Sequence, residues 1–229
     1  AGARYHNFKD FIKFPTLGKM HLLNPVQQHI PHPDLVKTRS ILDKMKTKDI
    51  LLYYPYHSFD YFLDLLREAA IDPNVSHIRI TLYRVASNSH VIKSLITALH
   101  NGKDVTVFIE LRARFDEEAN IDWATKLRDA GARVIPGISG LKVHSKLCLI
   151  TRREKGNKIY YGAIGTGNLH EKTARIYTDA MLLTCNQTTT KEARQIFSFF
   201  DKNYSVPKFN HLLVAPFNLR SKFTTLVNR

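Results

Sequence analysis

Cysteine is nearly absent. Cys148 and Cys185 are the two thiols in 229 residues, which excludes a disulfide framework and offers no zinc-ligand spacing. Cys148 lies in an apolar run, as a small core residue does. This suits a reducing compartment, and a cytoplasmic location is expected. No apolar run reaches the ~18 residues of a membrane-spanning helix, so any membrane association is expected only through a parent complex. The chain shows no secretory leader and does not start with Met, and a fragment or processed product of a longer protein is expected. Acidic residues are scarce too: 20 Asp and Glu against 34 Lys and Arg give a net charge of +14. Such a charge gathers anionic partners, without choosing among nucleic acid, polyphosphate, anionic lipid and nucleotide.

Apolar residues make up 44% of the chain, enough for a packed core. Residues 1–46 carry Pro15, Pro25, Pro31 and Pro33 and no long periodic stretch. That predicts a connecting arm, with one short helix between Pro33 and Met45. From Asp49 the pattern changes. Strands are expected over Ile50–Tyr54, His77–Val85, Asp104–Leu111, Ala132–Ile135, Leu141–Ile150, Ile159–Ile164 and Thr178–Thr184. Helices are expected from a Ser58 cap to Ala70, from a Ser87 or Asn88 cap to His100, over Glu117–Ala130, and over Thr188–Asn203 capped by Thr188 or Thr189. Strands alternating with helices predict an α/β fold, with a largely parallel sheet flanked by helices on both faces. The main domain is placed at 47–203. Residues 204–229 form a C-terminal segment whose apolar run, Leu212–Phe217, is expected to pack against a neighbour outside the chain.

One stretch combines this frame with chemistry: LKVHSKLCLI, Leu141–Ile150. Read as a strand, it puts Lys142, His144 and Lys146 on one face, with the imidazole and the ammonium roughly 7 Å apart. A cation fixed beside a nucleophilic imidazole suits attack on phosphorus; the plain alternative is a solvated strand face. The turn Gly165-Thr166-Gly167-Asn168 follows the next strand and can direct backbone N–H groups at an anion. Ligands of such sheets gather at strand ends, where Arg84, Arg112 and Arg114 stand; surface ion pairs with Asp116, Glu117 or Glu118 are the alternative.

His-x-Lys followed by Gly-x-Gly-Asn resembles the half-site of the phospholipase D-like superfamily. Longer blocks are more specific. RYHNFKDF, YYPYHSFD, ITLYRVA, ELRARFDEEANI, LKVHSKLCLI and GAIGTGNLHEKTARIYTD together resemble bacterial polyphosphate kinase of the long-chain synthesising type. The resemblance implies the first of two phospholipase D-like catalytic domains, preceded by a connection from an upstream domain and followed by the start of the second. It implies reversible transfer of the terminal phosphate of ATP to polyphosphate, through a phosphohistidine at His144. Arg84 and Arg114 fall on the phosphate and Mg²⁺ site, and Tyr177 on the nucleotide-contacting tyrosine. A guanidinium has no lone pair for a metal, so both arginines are read as phosphate ligands standing near Mg²⁺. Lys146 is the catalytic cation, Asn168 a phosphate ligand, and Glu171 a partner for His144 or Lys146. ATP or ADP, polyphosphate, the missing domains and a homo-oligomer of the parent are the implied partners.

Two absences qualify the match. The superfamily's Asp, five residues after its Lys, is Thr151 here, which weakens a phosphodiesterase reading. A second His-x-Lys with its Gly-x-Gly-Asn turn is missing, so the isolated chain is expected to bind phosphate without turning over. The rival readings are a phospholipase D-like phosphodiesterase or nuclease half-site that dimerises, and a non-catalytic polyanion-binding module.

Overall fold

Burial explains where the strands fall. β1 (Ile50–Tyr54) buries Ile50, Leu52 and Tyr54 and exposes Leu51 and Tyr53, as an edge strand with one covered face must. β3 (Asp104–Ile109) is buried at every position after Asp104, and β5 (Lys146–Glu154) over its first six residues, as central strands covered on both faces are. The computed structural model describes residues 8, 11, 14–86, 88–111, 117–138, 140–204 and 207–228. In it β2 (Val75–Leu82), β4 (Arg133–Pro136), β6 (Asn157–Gly165) and β7 (Asp179–Thr184) complete a seven-stranded sheet of order β1-β7-β6-β5-β2-β3-β4.

The α/β class holds, with helices on both faces, but the sheet is mixed rather than largely parallel. Only β2–β3 and β3–β4 pair in parallel; the other four pairings are antiparallel. The reason is local. Glu154 and Asn157 pair across a two-residue turn in which Lys155 and Gly156 have φ of 47° and 83°, the geometry of a tight hairpin. Parallel pairing needs a long crossover; among the described residues an α-helix follows β1, β2 and β3, whereas none lies between β5, β6 and β7.

α1 (Ile41–Thr47), α2 (Asp60–Ile71), α3 (His90–His100) and α4 (Glu117–Asp129) pack on one face, where Cys148 and Ile150 of β5 point. α5 (Gln187–Asp201) covers the other, against Phe108, Leu147 and Leu149. Caps fall close to the expected places. Ser89, not Ser87 or Asn88, accepts from Ile92 N–H at the start of α3, and Asn186, not Thr188 or Thr189, caps α5; Ser87 lies outside the described residues. The Leu212–Phe217 run meets its own chain. Leu212, Val214 and Phe217 pack beside α5, and the buried Glu192 carboxylate accepts the N–H groups of Asn210, His211 and Leu212. Those bonds hold the carboxyl below its usual range despite its burial. The last helix, α6 (Leu219–Val227), buries no residue.

At the edge of the sheet that carries the β5–β6 hairpin, Arg152 ties α1, α2 and β5 together. Its guanidinium donates to Asp72 at 2.7 Å and Glu154 at 2.9 Å, and stands 3.4 Å from Asp43. Arg152→Leu leaves the Asp72 and Glu154 carboxylates short of their partner in a poorly solvated place. A loss of about 3 kcal/mol of stability is expected, read as a lower urea midpoint with an unchanged slope.

Candidate functional site

The mixed pairing decides what meets at the opposite edge. Because β5 runs against both β2 and β6, and β7 against β6, the exits of β2, β3 and β6 and the entries of β5 and β7 share one rim. Tyr83 and Arg84 leave β2 there, Glu110 leaves β3, Gly165–Asn168 leave β6, His144 precedes β5, and Asp179 opens β7.

β5 begins at Lys146, so Leu141–Ser145 is not part of the strand as the alternation had suggested. Thr81 is the cause. Its hydroxyl donates to Ser145 C=O at 2.7 Å and accepts from Leu147 N–H at 2.9 Å, replacing backbone pairing where the β2–β5 ladder ends at Ile80 and Cys148. His144 and Lys146 therefore do not alternate along one strand face, though both side chains meet the Tyr83 ring. Lys146 is buried, 7% exposed, and its Nζ donates to the His144 carbonyl at 2.6 Å. The imidazole of His144 is exposed and packs edge-on against Tyr83, with ring centroids 4.9 Å apart.

Charge follows from this placement. Burial pushes the Lys146 ammonium from 10.5 down to about 8; the Asp179 carboxylate opposes the shift and the Arg84 guanidinium adds to it. His144 is held below the usual histidine value by partial burial first, then by Lys146 and Lys142. At neutral pH the site thus offers an unprotonated imidazole and a protonated, poorly hydrated ammonium.

The glycine-rich turn is packed tightly. Thr166 N–H donates to Ala180 C=O at 2.9 Å and its hydroxyl to Asp179 at 2.7 Å, whereas the amides of Gly167 and Asn168 donate to nothing among the described residues. A Cβ on Gly167 would lie 2.2 Å from Asp179 Oδ2 and 2.8 Å from Asp179 Cβ. The side-chain oxygen of Asn168 is buried without a partner among the described residues.

Other expected residues fall as follows. Arg84 is half-buried and acts electrostatically on Lys146. Tyr177 is 61% exposed, so it is no core tyrosine. Glu171 does not serve His144 or Lys146: its Oε1 accepts from His90 N–H at 2.6 Å, Val91 N–H at 3.2 Å and Ser89 Oγ at 3.1 Å, capping α3. Thr151 is buried in β5, roughly 17 Å from Lys146 at five strand residues. Arg112 and Arg114 lie outside the described residues. Three residues were not anticipated: Tyr83, Thr81 and Asn120. Asn120, fully buried on α4, donates to Tyr83 C=O at 2.9 Å and Glu110 C=O at 3.0 Å, clamping the exits of β2 and β3 together.

Two cavities open on this rim. One of about 400 Å³ is lined mainly by apolar residues, with Lys142, His144 and Lys146 among them. The other, about 740 Å³, is lined by Glu110, Leu111, Pro136, Gly137 and Lys142 among others. Both volumes are in the range of small-ligand sites.

The mixed sheet with helices on both faces is phospholipase D-like in architecture. A solved phospholipase D family member, Nuc from Salmonella typhimurium, aligns with a TM-score of 0.53 at 18% identity, over 69% of this chain and 93% of its own, a likeness of fold alone. The chain belongs to the polyphosphate kinase family: residues 40–206 match the model of Polyphosphate kinase C-terminal domain 1. A polyphosphate kinase of Vibrio parahaemolyticus is 52% identical over 227 residues, covering 99% of this chain and 33% of that protein. The crystal structure of polyphosphate kinase from Porphyromonas gingivalis aligns with a TM-score of 0.84 at 37% identity, over 98% of this chain and 37% of its own. The chain thus spans about a third of the length of the curated relatives it matches.

Proposed function

We infer that the chain carries the first half-site of a polyphosphate kinase, which moves the terminal phosphate of ATP reversibly onto polyphosphate through a phosphohistidine at His144. One observation supports this most: an exposed, unprotonated imidazole stands beside a buried ammonium at the rim of a fold whose family is polyphosphate kinase. The His144 ring nitrogen gives its lone pair to the γ-phosphorus; the bond from phosphorus to the bridging oxygen breaks, and ADP leaves with that electron pair. A terminal oxygen of polyphosphate then attacks the phosphorus, the P–N bond breaks, and the imidazole returns neutral. Lys146 and Arg84 hold the equatorial oxygens as charge spreads over them. Arg114 is assigned the same task by resemblance. Asn168 and the Gly167 amide are suited to one phosphoryl oxygen, and Tyr177 offers an exposed face for adenine.

Mg²⁺ is part of the family expectation. Among the described residues no three His, Cys, Asp or Glu side chains converge, and guanidinium groups cannot ligate a metal. The residues present do not fit a protein-held metal, and phosphate oxygens with water are the ligands left for it. Residues up to α1 serve as the connection from an upstream domain, and those after α5 lead towards the second half-site. A homo-oligomeric parent and a cytoplasmic location complete the reading.

The full-length protein incubated with γ-labelled ATP should take up acid-labile label, and His144→Ala should take up none. Undiminished label in His144→Ala overturns the assignment. Diester cleavage without ATP identifies a hydrolase instead.

A further inference from the structure

Among the described residues the imidazole of His144 has no hydrogen-bond partner. Its recorded neighbour is the Tyr83 ring, set edge-on at 4.9 Å with an interplanar angle of 78°. The same ring meets two ammonium groups, Lys146 Nζ at 4.9 Å and Lys142 Nζ at 5.3 Å from its centroid. Three groups of the site thus meet on one aromatic side chain. The backbone that carries it is anchored: Asn120 donates to Tyr83 C=O at 2.9 Å, and two residues past Arg84 the Trp123 indole donates to Ala86 C=O at 3.1 Å. Both contacts come from α4, so the ring stands on backbone fixed from the core.

We propose that Tyr83 is a positioning residue: its ring fixes the orientation of the His144 imidazole and gathers Lys142 and Lys146 where a phosphoryl group would sit. An edge-on aromatic contact restricts rotation of an otherwise exposed ring. Cation–π attraction offsets part of the repulsion between the two ammonium groups and part of the hydration that the buried Lys146 loses. The charges that act on these groups come from Lys142 and Lys146 beside His144, from Arg84 on the β2 exit, and from Asp179 opposite Lys146. The hydroxyl plays no part in the argument, so phenylalanine should replace tyrosine and an aliphatic residue should not.

The role rests on the phosphohistidine reading, and the test separates the two. Carbethoxylation of His144 in the full-length protein, followed by mass spectrometry across pH, reports the unprotonated imidazole without any phosphoryl transfer. Tyr83→Phe should reproduce the wild-type profile. Tyr83→Leu should move its midpoint up towards the ordinary histidine value, because the ring leaves solvent access and the lysines disperse. It should also slow labelling by γ-labelled ATP on the order of tenfold, with Tyr83→Phe restoring the rate. Lys142→Met, at an exposed position, should raise the midpoint in the wild-type background and add little in Tyr83→Leu. A Tyr83→Leu profile superimposable on wild type overturns the proposal; if that variant does not fold, an unchanged profile in Lys142→Met does so. If the wild type takes no label, the phosphohistidine reading fails, while the carbethoxylation profiles still decide the role of Tyr83.

Discussion

Gly167→Ala is expected to slow phosphoryl transfer by on the order of a hundredfold, the scale of loss when a reacting group is displaced by about an ångström. The reason is steric and then electrostatic. The new methyl would lie 2.2 Å from Asp179 Oδ2 and 2.8 Å from its Cβ, so rotating the carboxylate tip does not relieve the clash, and the whole side chain must leave. Its bond to Thr166 Oγ1 then breaks, and that hydroxyl no longer braces the turn through Ala180 N–H at 3.0 Å. Asp179 is also the opposite charge that supports the Lys146 ammonium in its buried setting. Without it Lys146 gives up its proton more easily, and the site loses a cation when it meets phosphate. A stability loss of about 1–3 kcal/mol should accompany this. Steady-state rates and thermal unfolding of the full-length variant check both halves; wild-type turnover would show that Asp179 and the turn are not coupled to the site.

Lys146→Met is expected to act in opposite directions on stability and function. Burial lowers the Lys146 ammonium from 10.5 to about 8. Between those two values the unfolded chain binds the extra proton and the folded one does not, so stability should rise with pH across that window. Below about 8 the penalty is fully present, on the order of 3 kcal/mol from a shift of that size. Methionine removes it, along with the hydrogen bond to the His144 carbonyl, worth about 1 kcal/mol. A net gain of about 2 kcal/mol at pH 7, a Tm rise of roughly 4–8 °C, is therefore expected, together with loss of phosphoryl transfer. The wild-type rate itself should fall as pH rises through about 8, where Lys146 loses its charge, and as pH falls through the depressed value of His144. A lower Tm in Lys146→Met would show that the ammonium is not held at a cost.

Much of the frame was legible because it follows from local pattern. The strands other than β5, and the long helices, lie within a few residues of their expectations, since alternation, apolar faces and caps are written in consecutive residues. Strand direction was not. The βαβ rule applies to β2, β3 and β4, where α-helices intervene, and it was extended to β5–β7, where Lys155-Gly156 makes a hairpin and only a three-residue 3-10 helix, Thr173–Arg175, lies between the strands among the described residues. The candidate site shows the same limit. His144, Lys146 and the Gly165–Asn168 turn stood out as a motif, and the structure brings them to one rim. What fixes them there acts across the sheet. Thr81 stops β5 at Lys146, Tyr83 holds His144, and Asn120 joins two strand exits, each at a sequence separation that no local pattern reveals. Glu171 illustrates the reverse error: nearness in sequence to the turn suggested a role at His144, while its carboxylate caps α3.

The most direct test is to locate the transferred phosphate. Full-length protein is mixed with ATP, quenched in alkali within the first turnover, digested, and mapped by mass spectrometry. The account predicts an acid-labile phosphoryl group on the imidazole of His144, in the peptide that carries Val143 and Ser145. A phosphate found on any other side chain, with His144 unmodified, would contradict it.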